Sequence, residues 1–120
     1  YLSQLQLLSL RENDLTGTIP PEIMQPPNLT TLDLSYNKLT GTIPSAPSSS
    51  APRQTSQQYP PLENLYMYNN FLQGTVPFIE TMERLKVQNN LFTGFDQAYS
   101  TLQSLTSLKM YENLLTGPLP

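Results

Sequence analysis

The chain has 120 residues, a net charge of −3, and neither cysteine nor histidine. The missing cysteine excludes a disulfide framework, a thiolate nucleophile and Cys-based zinc sites, and the missing histidine removes the commonest general base and metal ligand. Six Lys and Arg dispersed along the chain cannot neutralise a row of phosphates, so nucleic-acid binding through a basic face is not expected.

In chain order, the first unit reads LSLRENDLTGTIP over residues 8–20. Leu8 and Leu10 alternate with polar residues, Asn13 follows, and Leu15, Gly17 and Ile19 lead to Pro20. Residues 21–28 are short and proline-rich, which predicts extended chain or a single helical turn. The second unit, LDLSYNKLTGTIP over 32–44, repeats the first around Asn37. Residues 45–60, SAPSSSAPRQTSQQYP, interrupt the pattern with almost nothing to bury and are expected to be a disordered insertion. They read as a recognition loop, as a site of Ser/Thr glycosylation, or as tolerated extra length.

The third unit places Leu65 and Met67 before Asn70, with Leu72, Gly74 and Val76 after it. The fourth has Leu85 and Val87 before Asn90, then Phe92 and Gly94. Phe95-Asp96 replaces Ile-Pro there, which predicts a tighter coil without a second strand. The fifth has Leu108 and Met110 before Asn113, then Leu115, Gly117 and Leu119. The five asparagines are 24, 33, 20 and 23 residues apart, and all five glycines of the chain fall at one repeat position. A shared position predicts a shared backbone task, a bend with positive φ.

An apolar–polar–apolar triplet such as Leu32-Asp33-Leu34 is the period of a half-buried strand. Successive units should pair such strands in parallel, about 4.8 Å apart, as a ribbon roughly 20 Å long. Asn suits the corner that follows, because its amide both donates and accepts toward backbone groups the turn leaves unpaired. Stacked copies would make a ladder of Asn13, Asn37, Asn70, Asn90 and Asn113. The residues Ile19, Ile43, Val76 and Leu119 then return inward, and a following proline ends a short second strand. No single coil buries its leucines; stacking does.

The phrase LxxLxLxxNxLTGxIPxxI resembles the leucine-rich repeat, and its LTGxIP tail resembles the plant-type subclass. The resemblance covers nearly the whole chain apart from residues 45–60. It implies an α/β solenoid: a right-handed coil of about five repeats, a parallel sheet on the concave face, little helix, and short second strands or extended chain on the back. Residues 1–120 then form one solenoid fragment. The paired-cysteine caps usual in that family are absent, no signal peptide is visible, and no apolar run reaches the roughly 20 residues that span a bilayer. The chain therefore reads as a piece of a longer protein, with Leu2, Leu5 and Leu115 facing solvent.

Variable residues of such solenoids gather on the concave ribbon. One column there reads Ser9, Asp33, Tyr66, Lys86 and Lys109, and the next Arg11, Ser35, Tyr68, Gln88 and Tyr111. Flanking columns read Glu12, Tyr36, Asn69, Asn89, Glu112 and Leu7, Thr31, Asn64, Arg84, Ser107. Tyrosine and arginine are favoured interface anchors, so the candidate ligand-binding residues are Arg11, Asp33, Tyr36, Tyr66, Tyr68, Arg84, Lys86, Lys109 and Tyr111. Arg84, Lys86 and Lys109 form a positive patch suited to an acidic peptide or a sulfated ligand.

The resemblance implies a non-catalytic recognition module of an extracellular receptor-like protein or receptor kinase, binding a protein or peptide ligand or a partner ectodomain. It implies no cofactor and no metal. Catalysis is also unsupported by the residues, since Glu12 and Asp14 flank a turn and Asp33 stands alone. Alternatives are a secreted inhibitor of a microbial wall-degrading enzyme, and a structural or ice-adsorbing solenoid suggested by the row Thr18, Thr42, Thr75, which Phe95 and Pro118 break. Asn28-Leu29-Thr30 is an N-glycosylation sequon.

Overall fold

Alternation draws each of the first four units into two short strands and the fifth into one. The computed structural model describes residues 2–45 and 59–119. Its nine strands are β1 (Leu7–Ser9), β2 (Thr16–Thr18), β3 (Thr31–Asp33), β4 (Lys38–Gly41), β5 (Asn64–Tyr66), β6 (Phe71–Val76), β7 (Arg84–Lys86), β8 (Leu91–Phe95) and β9 (Ser107–Lys109). They form a five-stranded sheet in the order β1-β3-β5-β7-β9 and a four-stranded sheet in the order β2-β4-β6-β8. Every pairing is parallel, because each coil returns in the same direction. The predicted repeat solenoid is therefore present, and its second strands are a hydrogen-bonded sheet rather than merely extended chain.

Leucines stack in register along the first sheet: Leu8 on Leu32, Leu32 on Leu65, Leu65 on Leu85, and Leu85 on Leu108. The three inner ones are fully buried, and the two end ones are half-buried for want of an outer neighbour. Each full burial contributes about 1.5–3 kcal/mol, so stability accrues coil by coil. Met67, Val87, Leu72 and Phe92 extend the core toward the second sheet. Leu29, Leu62, Ile79 and Met82 close it at the back, with short 3₁₀ turns at Pro21–Met24 and Gln97–Thr101. Leu2 is exposed as expected, whereas Leu5 and Leu115 pack half-buried against the core. An apolar cleft of about 220 Å³, lined by Leu10, Leu15, Ile19, Ile23, Leu34 and Leu39, opens beside the first coil.

The asparagines do more than cap their own corners. The Asn70 Nδ2 donates to the carbonyl of Met67 in its own coil at 3.1 Å and to that of Leu34 in the coil before at 3.0 Å. Its Oδ1 accepts the N–H of Leu39 in that preceding coil at 3.0 Å. Asn37, Asn90 and Asn113 repeat the pattern, accepting from Leu15, Leu72 and Phe92. Asn13, in the first coil, bonds only its own corner, at the carbonyls of Leu10 and Arg11.

The residue before each ladder asparagine takes a left-handed conformation that the sequence did not reveal. Glu12, Tyr36, Asn69, Asn89 and Glu112 all have φ between 56° and 58°. Asn tolerates that region, but a bulky Tyr there is strained. Each corner but the last is held by strand-like bonds to the next coil, such as Tyr36 N–H to Tyr68 O at 3.0 Å.

Two expectations need correction. The fourth coil does not lack a second strand: β8 pairs with β6, and Phe95 lies opposite Val76 in the core. A register shift leaves Thr93 as an extra residue, which brings Phe95 to the inward position that Ile19 and Ile43 hold. Gly94 also departs from the shared glycine task. Its φ is not positive, unlike that of the other four glycines; instead, a Cβ there would sit 3.0 Å from Thr75 Oγ1.

Of the insertion expected at 45–60, residues 46–58 lie outside the described ones. At its margin the Tyr59 hydroxyl donates to the Pro44 carbonyl at 3.1 Å, and Pro60 is buried. Further along the back, Tyr99 is buried with its hydroxyl donating to Pro77 O and accepting from Ile79 N–H. Burial pushes its phenol well above the ordinary tyrosine range.

Replacing Asn70 by Ala strands the buried Leu39 N–H and is expected to lower unfolding stability by about 1–3 kcal/mol. The exposed edge change Asn13→Ala should stay within about 0.5 kcal/mol. Equal denaturation midpoints for the two variants would contradict the ladder. Gly41→Ala should cost more than Gly17→Ala. Both positions have positive φ, but only at Gly41 would the new methyl meet Thr18 Cγ2, at 2.8 Å. Melting temperatures of the two variants check the order.

Candidate functional site

Successive side chains of a strand point to opposite faces, so in β5, β7 and β9 the residues flanking the buried leucine point away from the core. The outer face of the five-stranded sheet therefore carries all nine candidate residues on strands or on the corners just after them. They divide into two groups.

The first group spans the first three coils. The Arg11 guanidinium donates to the Tyr68 hydroxyl at 3.0 Å, reaching across the intervening coil. There the small Ser35 is fully buried. The Arg11 Cζ lies 5.2 Å from the centroid of Tyr36 and 5.9 Å from that of Tyr68, and the two rings meet edge-to-face at 5.5 Å. Arg11 also pairs with Glu12 at 3.0 Å, and this bond raises its pKa above the ordinary guanidinium value. Asp33 does not join the group. Its Oδ1 accepts from both the backbone N–H and the hydroxyl of Ser35, so its charge is satisfied by its own strand. Ser35, expected on the open face, is thus a covered structural residue.

The second group spans the last three coils and is cationic. Lys86 Nζ lies 5.2 Å over the Tyr66 ring. Lys86 and Lys109 are register partners on neighbouring strands, an arrangement of like charges that disfavours pairing. Arg84 donates to Asn64 Oδ1 at 3.2 Å, and Asn64 donates to Thr31 Oγ1 at 3.0 Å. That relay across three strands fixes the guanidinium direction. Among the described residues, the ion pairs are Arg11–Glu12 and Lys38–Asp14, and neither reaches this group. Three cations therefore share one face without an ion pair among the described residues, on a chain whose net charge is −3. Tyr111 stands exposed beyond β9.

One residue of this face escaped the sequence reading as a site candidate. Gln88 sits in the row between Tyr68 and Tyr111 and was expected to be exposed. It is only 6% exposed, and its Oε1 has no hydrogen-bond partner among the described residues. No sequence signal marks it, because its burial depends on flanking coils.

On the other sheet, Thr18, Thr42 and Thr75 stand exposed, but Phe95 turns into the core, so the threonine row stops after three coils. Asn28 is exposed, and its Nδ2 donates to the Ser3 carbonyl at 2.7 Å. Among the described residues, no helix is long and apolar enough to cross a membrane, and no cluster of acidic residues is arranged to hold a metal ion.

The Leucine Rich Repeat family model matches residues 4–25 and 28–50. No curated protein sequence matches the chain. Several solved structures do. The LRR ectodomain of the receptor kinase SOBIR1 from Arabidopsis thaliana is 28% identical with a TM-score of 0.76, over 98% of this chain and 62% of that one. The PEPR1–AtPEP1 structure is 26% identical with a TM-score of 0.75, over 97% of this chain and 16% of that one. The Arabidopsis receptor kinase HAESA, in complex with the peptide hormone IDA and the co-receptor SERK1, is 25% identical with a TM-score of 0.69, over 94% of this chain and 22% of that one. The chain thus spans between about a sixth and three-fifths of the length of these three structures. Its stacked coils, its in-register leucines and these likenesses agree: the chain is a leucine-rich-repeat solenoid, similar to plant receptor ectodomains.

Proposed function

We propose that the chain is a non-catalytic recognition segment from the extracellular part of a plant receptor-like protein or receptor kinase, and that the outer face of its five-stranded sheet binds an acidic peptide. The observation that carries this reading is the group Arg84, Lys86 and Lys109, none of which forms an ion pair among the described residues. A folded chain gains nothing in stability from aligning Lys86 with Lys109. An anionic ligand laid across both strands relieves that repulsion. The Tyr66 ring beneath Lys86 adds flat apolar surface for the ligand's main chain.

The likeness to HAESA, whose structure contains a peptide hormone, supports a peptide as the ligand class. The first group of residues is suited to a different task. Arg11 is already bound to Glu12 and Tyr68, so the Arg11–Tyr36–Tyr68 assembly offers a rigid aromatic rim rather than a free charge. Membrane anchoring, signalling and any co-receptor belong to the longer parent in this reading.

An acetylated and amidated hexapeptide of alternating Asp and Ala should bind the chain, and the double change Lys86→Ala and Lys109→Ala should weaken it at least about tenfold. Raising the salt concentration should erode the difference, since the contacts are solvent-exposed. Calorimetric titration checks both. Equal affinity for a matched Asn-Ala hexapeptide would rule out charge recognition by this face.

A further inference from the structure

Gln88 has no structural explanation in the free protein. The carbonyl of Gln88 accepts the N–H of Asn69 at 3.1 Å, and the N–H of Asn89 donates to Tyr111 O at 3.0 Å. These bonds fix its backbone between the coil carrying Tyr68 and the coil carrying Tyr111. Val87 beside it is fully buried in the core. By strand alternation the Gln88 side chain lies on the opposite side, the outer face it shares with Lys86. It is nonetheless 6% exposed, and its Oε1 meets no donor among the described residues. A buried carbonyl without a partner is destabilising relative to one that is satisfied.

The neighbouring polar side chains of this face are already engaged. Asn64 bonds Thr31, Arg84 bonds Asn64, Asn89 bonds Asn69, Tyr68 holds Arg11, and Asp33 holds Ser35. Turning any of these toward a ligand breaks a bond. Turning the Gln88 acceptor toward a ligand breaks none and relieves an unsatisfied group. A ligand that supplies a hydrogen-bond donor at this point therefore gains what the free protein lacks. Lys86 stands two residues away on the same face, with Lys109 as its register partner. An anionic ligand held by the two lysines passes beside Gln88, and an extended peptide presents a main-chain N–H there.

We infer that Gln88 is the specificity-determining residue of this face, its carboxamide accepting a main-chain N–H of an extended acidic peptide held by Lys86 and Lys109. This rests on the acidic-peptide reading above. It adds a requirement that charge alone does not make, namely a free peptide N–H. It also separates stability from binding, because the unsatisfied amide burdens the fold and serves only the ligand.

The test uses the full chain, the Asp-Ala hexapeptide and the same hexapeptide with its main-chain nitrogens methylated. Gln88→Leu, with Gln88→Met as a second variant in case one packs badly, is expected to keep or raise the melting temperature. It should weaken the unmethylated peptide about 3- to 10-fold, the range of one neutral hydrogen bond. Methylation should weaken binding to the unchanged chain by a similar factor and have little effect on the Gln88 variants. If both variants bind the peptide as well as the unchanged chain while the double lysine change still weakens it, the Gln88 inference fails and the charge reading survives. If both variants melt lower and methylation makes no difference, the amide is structural and the inference is overturned. If the peptide is ignored and oligogalacturonate binds instead, the acidic-peptide reading itself fails and the Gln88 inference falls with it.

Discussion

The amide of the ladder asparagine is the interaction on which the rest of the molecule depends. A coil that turns sharply after a three-residue strand leaves backbone donors and acceptors inside the core, where water cannot reach them. Asn is short enough to fit the corner and has both a donor and an acceptor to offer. At Asn70 these join the carbonyls of Leu34 and Met67 to the N–H of Leu39, so one side chain ties two coils. The bond to the previous coil holds stacking in register. Register in turn puts Leu32, Leu65 and Leu85 in one buried line.

Fixing the corners also fixes what the outer face can become. The left-handed residue before each ladder asparagine throws its side chain to the edge of the sheet, which is how Tyr36 comes to meet Tyr68 and Arg11. The cost of a tyrosine in that conformation is offset locally by the ring and cation contacts it makes. In the next two coils the corner residues are Asn69 and Asn89, which suit the conformation and bond one another. The same backbone geometry thus yields a closed aromatic assembly at one end. At the other it leaves an open cationic strip.

That division gives the face a direction. Arg11 is paired with Glu12 and Asp33 accepts two hydrogen bonds from Ser35, whereas Arg84, Lys86 and Lys109 form no ion pair among the described residues. Stability and recognition are therefore carried by different rows of one sheet. Inward rows are uniform because every coil solves the same packing problem, and outward rows vary because nothing in the core constrains them.

The sequence alone determined the repeat, the strands of the five-stranded sheet, the asparagine ladder and the inward leucine row, since each is written within a dozen residues by spacing, alternation and the placement of Asn; Leu119, expected to return inward, is exposed. The sequence also placed all nine candidate residues on one face, because alternation along a strand is a local property. Which of them touch was decided only by the tertiary structure. Arg11 and Tyr68 are 57 residues apart and meet across Ser35. The irregular coil was misread for the same reason: Phe95 reaches the core through a shift against β6 that no local pattern encodes. The idle acceptor of Gln88 was invisible too, because burial and lack of a partner are properties of the coils on either side. Period and composition act along the chain, whereas the neighbours that bury, neutralise or abandon a side chain come from the next turn of the solenoid.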